Sequence, residues 1–216
     1  MAAVRRWCTI QAGCNPEAGV WLEKEVAMKK LGGILFLLAW ADAGATVFNV
    51  DSANSSATFE VGYFAHGMVK GILNRISGRV DLDGNTKIGS GDIIFDMTAV
   101  ETGSSMTNRF IKSGSIFDSA RFPTMQFHAT RFDFDGERLL AVNGDLQLHG
   151  VTKAIRLEAK QFACIDAVAP DGPVQPCHGE FSTVIYRSHF GMNHFRLLVD
   201  DEVLINVSLG LERVAP

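Results

Sequence analysis

The chain predicts an all-β fold, an eight-stranded antiparallel barrel with one short helix. Three observations predict it. Apolar and polar residues alternate along run after run, turn signals separate those runs, and only one stretch keeps a helical period. The charge balance excludes one class of partner. With 20 Lys+Arg against 24 Asp+Glu in 216 residues, the chain lacks the clustered positive surface that nucleic acid demands.

The strands begin after residue 45. Ala57, Phe59, Val61 and Tyr63 share one parity, and Ile76, Val80 and Leu82 share another with Arg79 and Asp81 between them. Asp83-Gly84-Asn85 then marks a hairpin. Ser104 to Ser115 breaks the alternation: Met106, Phe110 and Ile111 fall at three-to-four spacing. That predicts a short helix, acting as a lid or plug. Alternation resumes with Met125, Phe127 and Ala129, turns at Phe134-Asp135-Gly136-Glu137, and continues through Leu146 and Leu148. His149-Gly150 bends the chain into Val151, Ile155, Leu157 and Ala159. The final run is the clearest, with Val203, Ile205, Val207, Leu209 and Leu211 set between Glu202, Asn206, Ser208 and Glu212. Such strands have one apolar and one wet face, and closing them into a barrel removes the exposed edges. Strands of about ten residues run about 33 Å, and a tilt of about 40° gives a barrel about 25 Å tall.

Residues 1–45 are a different kind of sequence. Lys29 and Lys30 precede an eleven-residue apolar run, Leu31 to Ala41, and Ala43-Gly44-Ala45 offers a small-residue cleavage site before Thr46. Residues 28–45 therefore read as a cleaved signal peptide. Eleven helical residues rise about 17 Å against a hydrocarbon core of about 30 Å, so a membrane anchor fits less well. Residues 1–27 fit no part of that scheme and read as a mis-assigned start or a non-structural extension. Residues 46–216 form the one folded domain. Losing the leader removes five of 20 Lys+Arg and four of 24 Asp+Glu, leaving a formal charge of −5. All three tryptophans go with it, while 14 of 15 phenylalanines stay. Cys164 and Cys177 remain. An exported chain meets an oxidising compartment, where a disulfide between them would close a loop of about 14 residues, worth about 3 kcal/mol. Two free buried thiols are the alternative.

Seven blocks carry a resemblance. They are Phe48-Asn49-Val50-Asp51 with Phe59-Glu60-Val61; Gly71 with Ile76-Ser77-Gly78; and Val100-Glu101-Thr102-Gly103 leading into Asn108-Arg109-Phe110-Ile111-Lys112-Ser113. After them come Ile116-Phe117-Asp118 with Phe122-Pro123-Thr124-Met125-Gln126-Phe127; Gly144 to Thr152; Tyr186 to Met192; and Asp201-Glu202-Val203. In this order and spacing the chain resembles the YceI family over residues 46–216. The resemblance implies a lipocalin-like barrel exported to the periplasm that binds a long amphiphile, such as a polyisoprenoid lipid or an isoprenoid quinone. The sequence departs from the family pattern at Asn54-Ser55, at Ile72 and at Arg109-Phe110, and the segment from Cys164 to Cys177 looks like an insertion.

The residues themselves supply a ligand argument. An interior lined by Phe59, Val61, Val80, Phe127, Leu148, Phe181, Ile205 and Val207 suits an acyl or prenyl chain. Each CH₂ taken from water gains about 0.8 kcal/mol. A solid core of the same side chains fits the alternation equally well, and the resemblance favours the cavity. His66, Arg109 and Arg187 are the candidates for contact with a polar head group at the mouth, although surface charge or a structural ion pair explains the two arginines as simply. No metal centre is expected, because His189 and His194 lack the H-E-x-x-H arrangement and no Cys/His cluster exists. Catalytic motifs are missing too: neither G-x-S-x-G nor a phosphate-binding loop occurs. Asp200, Asp201 and Glu202 read as a solvated turn sooner than as paired catalytic carboxylates.

The expected function is sequestration of an amphiphilic lipid, with no cofactor beyond that ligand, transient contact with a membrane, and a homodimer left open. A periplasmic enzyme or accessory factor acting on isoprenoid lipids is the rival. An integral outer-membrane barrel is a third reading, weakened by the terminal Val214-Ala215-Pro216, which lacks an aromatic ending.

Overall fold

A computed structural model of the protein describes residues 46–64, 67–165, 167–169, 172–174 and 176–214. The proposed leader and His66 lie outside them.

The strands are β1 (Thr46–Tyr63), β2 (Gly67–Leu73), β3 (Ile76–Leu82), β4 (Gly89–Asp96), β5 (Thr124–Asp135), β6 (Arg138–Leu148), β7 (Val151–Cys164), β8 (Ala167–Ala169), β9 (Gly172–Val174), β10 (Pro176–Tyr186) and β11 (Val199–Arg213). Eight of these close an antiparallel barrel in the order β1-β3-β4-β5-β6-β7-β10-β11, with β11 returning to β1. The fold class is therefore as the sequence predicts. β2 is an addition: it pairs with the second half of β1, from Ala57 to Tyr63, while β3 pairs with the first, from Thr46 to Asn49. With 18 residues in β1 and 15 in β11, this side of the wall rises well above the height expected from ten-residue strands.

The inward parity carries the core. Phe48, Ala57, Phe59, Val80, Phe127, Leu146, Phe181, Val207 and Leu211 are all buried. Outward positions hold ion pairs such as Arg79–Asp81, Arg131–Asp133 and Arg156–Glu158. That is the reverse of a membrane-spanning barrel, whose outer face must be apolar.

The two ends of the barrel differ. At the lower end two connections are short: β3 turns into β4 around Asp83, whose Oδ1 accepts from the Asn85 N–H at 2.8 Å, and β5 turns into β6 at left-handed Gly136 (φ 57°). Here too Cys164 and Cys177 face each other across β7 and β10 and are disulfide-bonded. The segment between them, which reads as turns, contains the small β8–β9 hairpin. At the upper end one connection is tight. His149 (φ 53°) and Gly150 (φ 76°) both adopt positive φ, the two-residue turn whose twist matches a hairpin. A Cβ on Gly150 would lie 2.6 Å from the Phe122 ring, so glycine is required twice over.

Two other upper connections are long. Residues 97–123 leave β4 and return as β5, carrying a 3₁₀ turn (Met97–Ala99) and helix α1 (Ser105–Lys112). The helix predicted for Ser104 to Ser115 thus forms, starting where the Ser104 side chain caps the Thr107 N–H and ending before Ser113. Residues 187–198 join β10 to β11 through a second 3₁₀ turn (Arg187–Phe190).

Candidate functional site

A cavity of about 690 Å³ opens at the upper end, among β1, β2, β11, α1 and the 187–198 connection. That is within the range of small-molecule sites, about 300–1,000 Å³. Its wall is made of inward residues of the strands, including Phe59, Val61, Leu148 and Ile205, and its cover of Ile111, Ile116 and Phe117. Phe59 and Phe117 meet edge to face at 5.6 Å, joining wall to cover. The Phe59 ring lies flat on Gly71, where a Cβ would stand 2.3 Å from it, so the glycine of β2 makes room for the aromatic wall.

The eight predicted lining residues separate into three groups. Phe59, Val61, Leu148 and Ile205 line the cavity. Phe127 and Val207 border instead a crevice of about 30 Å³ lower in the barrel, which Ile205 also touches. That volume is the share of a single water molecule. Val80 and Phe181 are buried in the core and border neither space.

The head-group candidates also come apart. His66 lies outside the described residues. Arg109 is exposed on α1 and is no part of the cavity lining. Arg187 does reach the cavity wall, but its guanidinium is already occupied. Nε donates to the Asp200 carbonyl at 2.9 Å, Nη1 to the Met192 and His194 carbonyls at 2.6 and 2.7 Å, and Nη2 to the Val199 carbonyl at 2.9 Å. Burial pulls this guanidinium below its ordinary value, with the Asp201 charge acting in the opposite sense. Arg187 is therefore a clamp that fixes the 192–200 segment around one side of the mouth, and no free cation for a head group.

Periodicity placed Met106 and Met125 on their elements but gave no sign that the methionines converge. Met68, Met97, Met106, Met125 and Met192 are all the methionines of residues 46–216, and every one lines the cavity. Thioether side chains are unbranched and polarisable and adapt to the shape of a ligand. Polar lining is sparse. It includes Thr58, Thr102, Thr107 and Lys70, whose ammonium is held by Glu60 Oε1 at 2.8 Å. Neither a carboxylate nor an imidazole is among the described lining residues.

Hydrogen bonds hold the cover in place. The β2 residue Ile72 exchanges backbone bonds with Glu101 at 2.8 and 2.9 Å. Asn108 Oδ1 accepts from the Thr102 N–H and hydroxyl at 2.8 and 2.7 Å, and its Nδ2 donates to Glu101. On the other side the Ser188 N–H and hydroxyl donate to the two oxygens of Asp201 at 2.8 and 2.6 Å, which hold that carboxyl below its ordinary value. Asp201 thus has a structural partner in Ser188.

A model of the YceI-like domain matches residues 48–211. Among relatives, a UPF0312 protein of Vibrio campbellii is 31% identical over 121 residues, covering 56% of this chain and 64% of its own length. The match therefore spans a little under two thirds of that protein. A UPF0312 protein of Shewanella denitrificans is 26% identical over 140 residues, covering 64% of this chain and 73% of its own. Solved structures share the fold. BcnA of Burkholderia cenocepacia superposes with a TM-score of 0.60 at 23% identity, over 74% of this chain and 98% of that one. A structure described as a polyisoprenoid binding domain from Saccharophagus degradans gives 0.57 at 15% identity, over 77% and 98%. With three quarters of its length matched by the family model and the same barrel in these structures, the chain belongs to the YceI-like family.

Proposed function

We propose that the protein is an exported, periplasmic binding protein that holds one long amphiphile, a polyisoprenoid lipid or isoprenoid quinone, with its apolar tail in the upper cavity. The observation that carries this reading is the cavity itself: about 690 Å³, open at one end, walled by phenylalanine, methionine and aliphatic side chains. At about 30 Å³ per group, on the order of 20 carbon-sized groups fit inside. Taking that many CH₂ groups from water gains on the order of 16 kcal/mol gross, against association costs of about 4–15 kcal/mol. A longer prenyl chain leaves its remainder outside the mouth. The polyisoprenoid binding domain from Saccharophagus degradans supports the ligand class by likeness of fold.

The rival, an enzyme acting on such lipids, calls for convergent titratable groups in the cavity. The cations described there are already engaged, Lys70 by Glu60 and Arg187 by backbone carbonyls. Titration of the purified protein with a soluble isoprenoid quinone analogue tests the binding reading. Saturation at one ligand per chain, weakened at least about tenfold by Val61→Trp, is expected. Absence of saturable binding would defeat it.

A further inference from the structure

We infer that the mouth of the barrel is a docking face for an anionic phospholipid bilayer. Three separate segments bring exposed apolar side chains to one rim. Phe64 and Met68, at the β1–β2 turn, are 62% and 57% exposed; Met106, on α1, is 74% exposed; Leu197, on the 187–198 connection, is 99% exposed. Phe110 and Phe195 close the ring between the helix and that connection, their centroids 5.4 Å apart. Large apolar side chains shown to water as a contiguous group mark an interaction surface. All of these except Leu197 also border the cavity, so the rim is continuous with its apolar wall.

The rim is also built to stay presented. Phe64 (φ 48°) and Phe195 (φ 56°) both hold the left-handed backbone that bulky residues avoid. The Phe64 N–H donates to the Leu198 carbonyl at 2.9 Å, and the Leu198 and Val199 N–H groups donate to the Phe195 carbonyl at 2.9 and 2.8 Å. Arg187 anchors the same segment from below.

Charge selects the partner. Arg109, Lys112 and Arg196 stand beside the apolar ring and enter no salt bridge among the described residues. Of the neighbouring acids, Glu60 is paired by Lys70, whereas Glu101 and Asp201 keep their charge but are held back against the protein by hydrogen bonds from Asn108 and Ser188, and Asp201 also lies in the field of Arg187 and Arg196. The carboxylate of Asp200 folds against Gly62. Arg109 and Lys112 share α1 with Met106 and Phe110, and Arg196 stands between Phe195 and Leu197, so an apolar ring with cations on the same two segments fits a surface of acyl chains beneath anionic head groups. Docking there lets an apolar tail pass from bilayer to cavity without crossing water. That purpose rests on the binding reading above, whereas the rim's chemistry does not.

Sedimentation with vesicles tests it, using phosphatidylethanolamine–phosphatidylglycerol vesicles and phosphatidylcholine vesicles side by side. The wild-type chain should partition onto the anionic vesicles, and less at high salt. Leu197→Asp, at a residue outside the cavity lining, should lower the bound fraction several-fold. Lys112→Glu with Arg196→Glu should lower it and flatten the salt dependence. Val184→Asp, on the exposed outer wall of β10, should leave it unchanged, and thermal melts confirm that each variant is folded. Three results would overturn the inference: no sedimentation of wild type with either vesicle, equal loss in the Val184 variant, or a dimer that Leu197→Asp dissolves without any vesicle binding. Ligand titration in vesicle-free buffer separates the two proposals, because Leu197 does not border the cavity. Saturable ligand binding without vesicle binding rejects docking alone.

Discussion

The upper and lower halves of the barrel are built from the same strands with the same alternation, yet they do different things with their inward side chains. Met125 and Ile205 form the waist, bordering both the upper cavity and the lower crevice. Below them Phe127, Leu146, Val207 and Leu209 interlock around about 30 Å³. Above them about 690 Å³ is left open. The difference comes from what ends the strands. Short hairpins and a disulfide pinch the lower end shut, whereas β2, residues 97–123 and the 187–198 connection hold the upper end apart. Hollowness is thus a property of the connections as much as of the wall.

Substitutions can break or sharpen that contrast. The largest effect should come from Phe127→Ala in the packed half, a loss of about 3–5 kcal/mol in chemical denaturation. Arg187→Met should follow at about 3 kcal/mol, since four backbone carbonyls lose their donors. Arg187→Lys should recover little of it, because an ammonium cannot span those acceptors. Adding bulk then tests the two halves directly. Val207→Phe below the waist should cost about 1–3 kcal/mol by overpacking. Val61→Trp above it should cost less than about 1 kcal/mol, because the ring has space to enter, while ligand affinity falls at least about tenfold. Equal destabilisation by these two variants would mean that the halves are alike.

The smallest effect concerns the outer wall. Asn143 foremost, then Arg156 and Arg131, donate to the Asp133 carboxylate and hold it down to about 2. A depressed carboxylate stabilises the folded state fully above its unfolded value near 4, and that contribution fades as pH falls towards 2. Asp133→Asn should therefore cost about 0.5 kcal/mol at neutral pH, discounted for its surface position. The cost should shrink as melts approach pH 2 and vanish only below it.

Much of the barrel was legible because alternation reports burial directly: Ala57 and Phe59 on β1, Met125 and Phe127 on β5, and Ile205 to Leu211 on β11 all point inward as their parity predicts. The paired cysteines and the short helix were legible too, the first from the expectation that the chain is exported, the second from its change of period. The site was only half legible. Alternation distinguishes inside from outside but not height along the barrel, so Phe127, Val207, Val80 and Phe181 looked the same as Phe59 and Val61. Arg187 read as a head-group candidate or a surface or ion-pairing charge because nothing in its neighbours reveals four converging carbonyls. The convergence of the methionines was not legible because they are scattered over four separate segments, and only the fold gathers them. The blocks that carried the family resemblance mostly describe scaffolding. Glu101, Thr102 and Asn108 pin the cover, and Arg187, Ser188 and Asp201 brace the mouth, while Phe59, Val61, Phe117 and Leu148 from the same blocks line the cavity.

Native mass spectrometry of the chain purified from its own host, with lipid extraction from the same sample, tests the central claim most directly. The account predicts one amphiphile per chain, released as an isoprenoid species, and its absence from the Val61→Trp variant. A chain that carries no ligand, or one whose ligand persists undiminished in Val61→Trp, would contradict it.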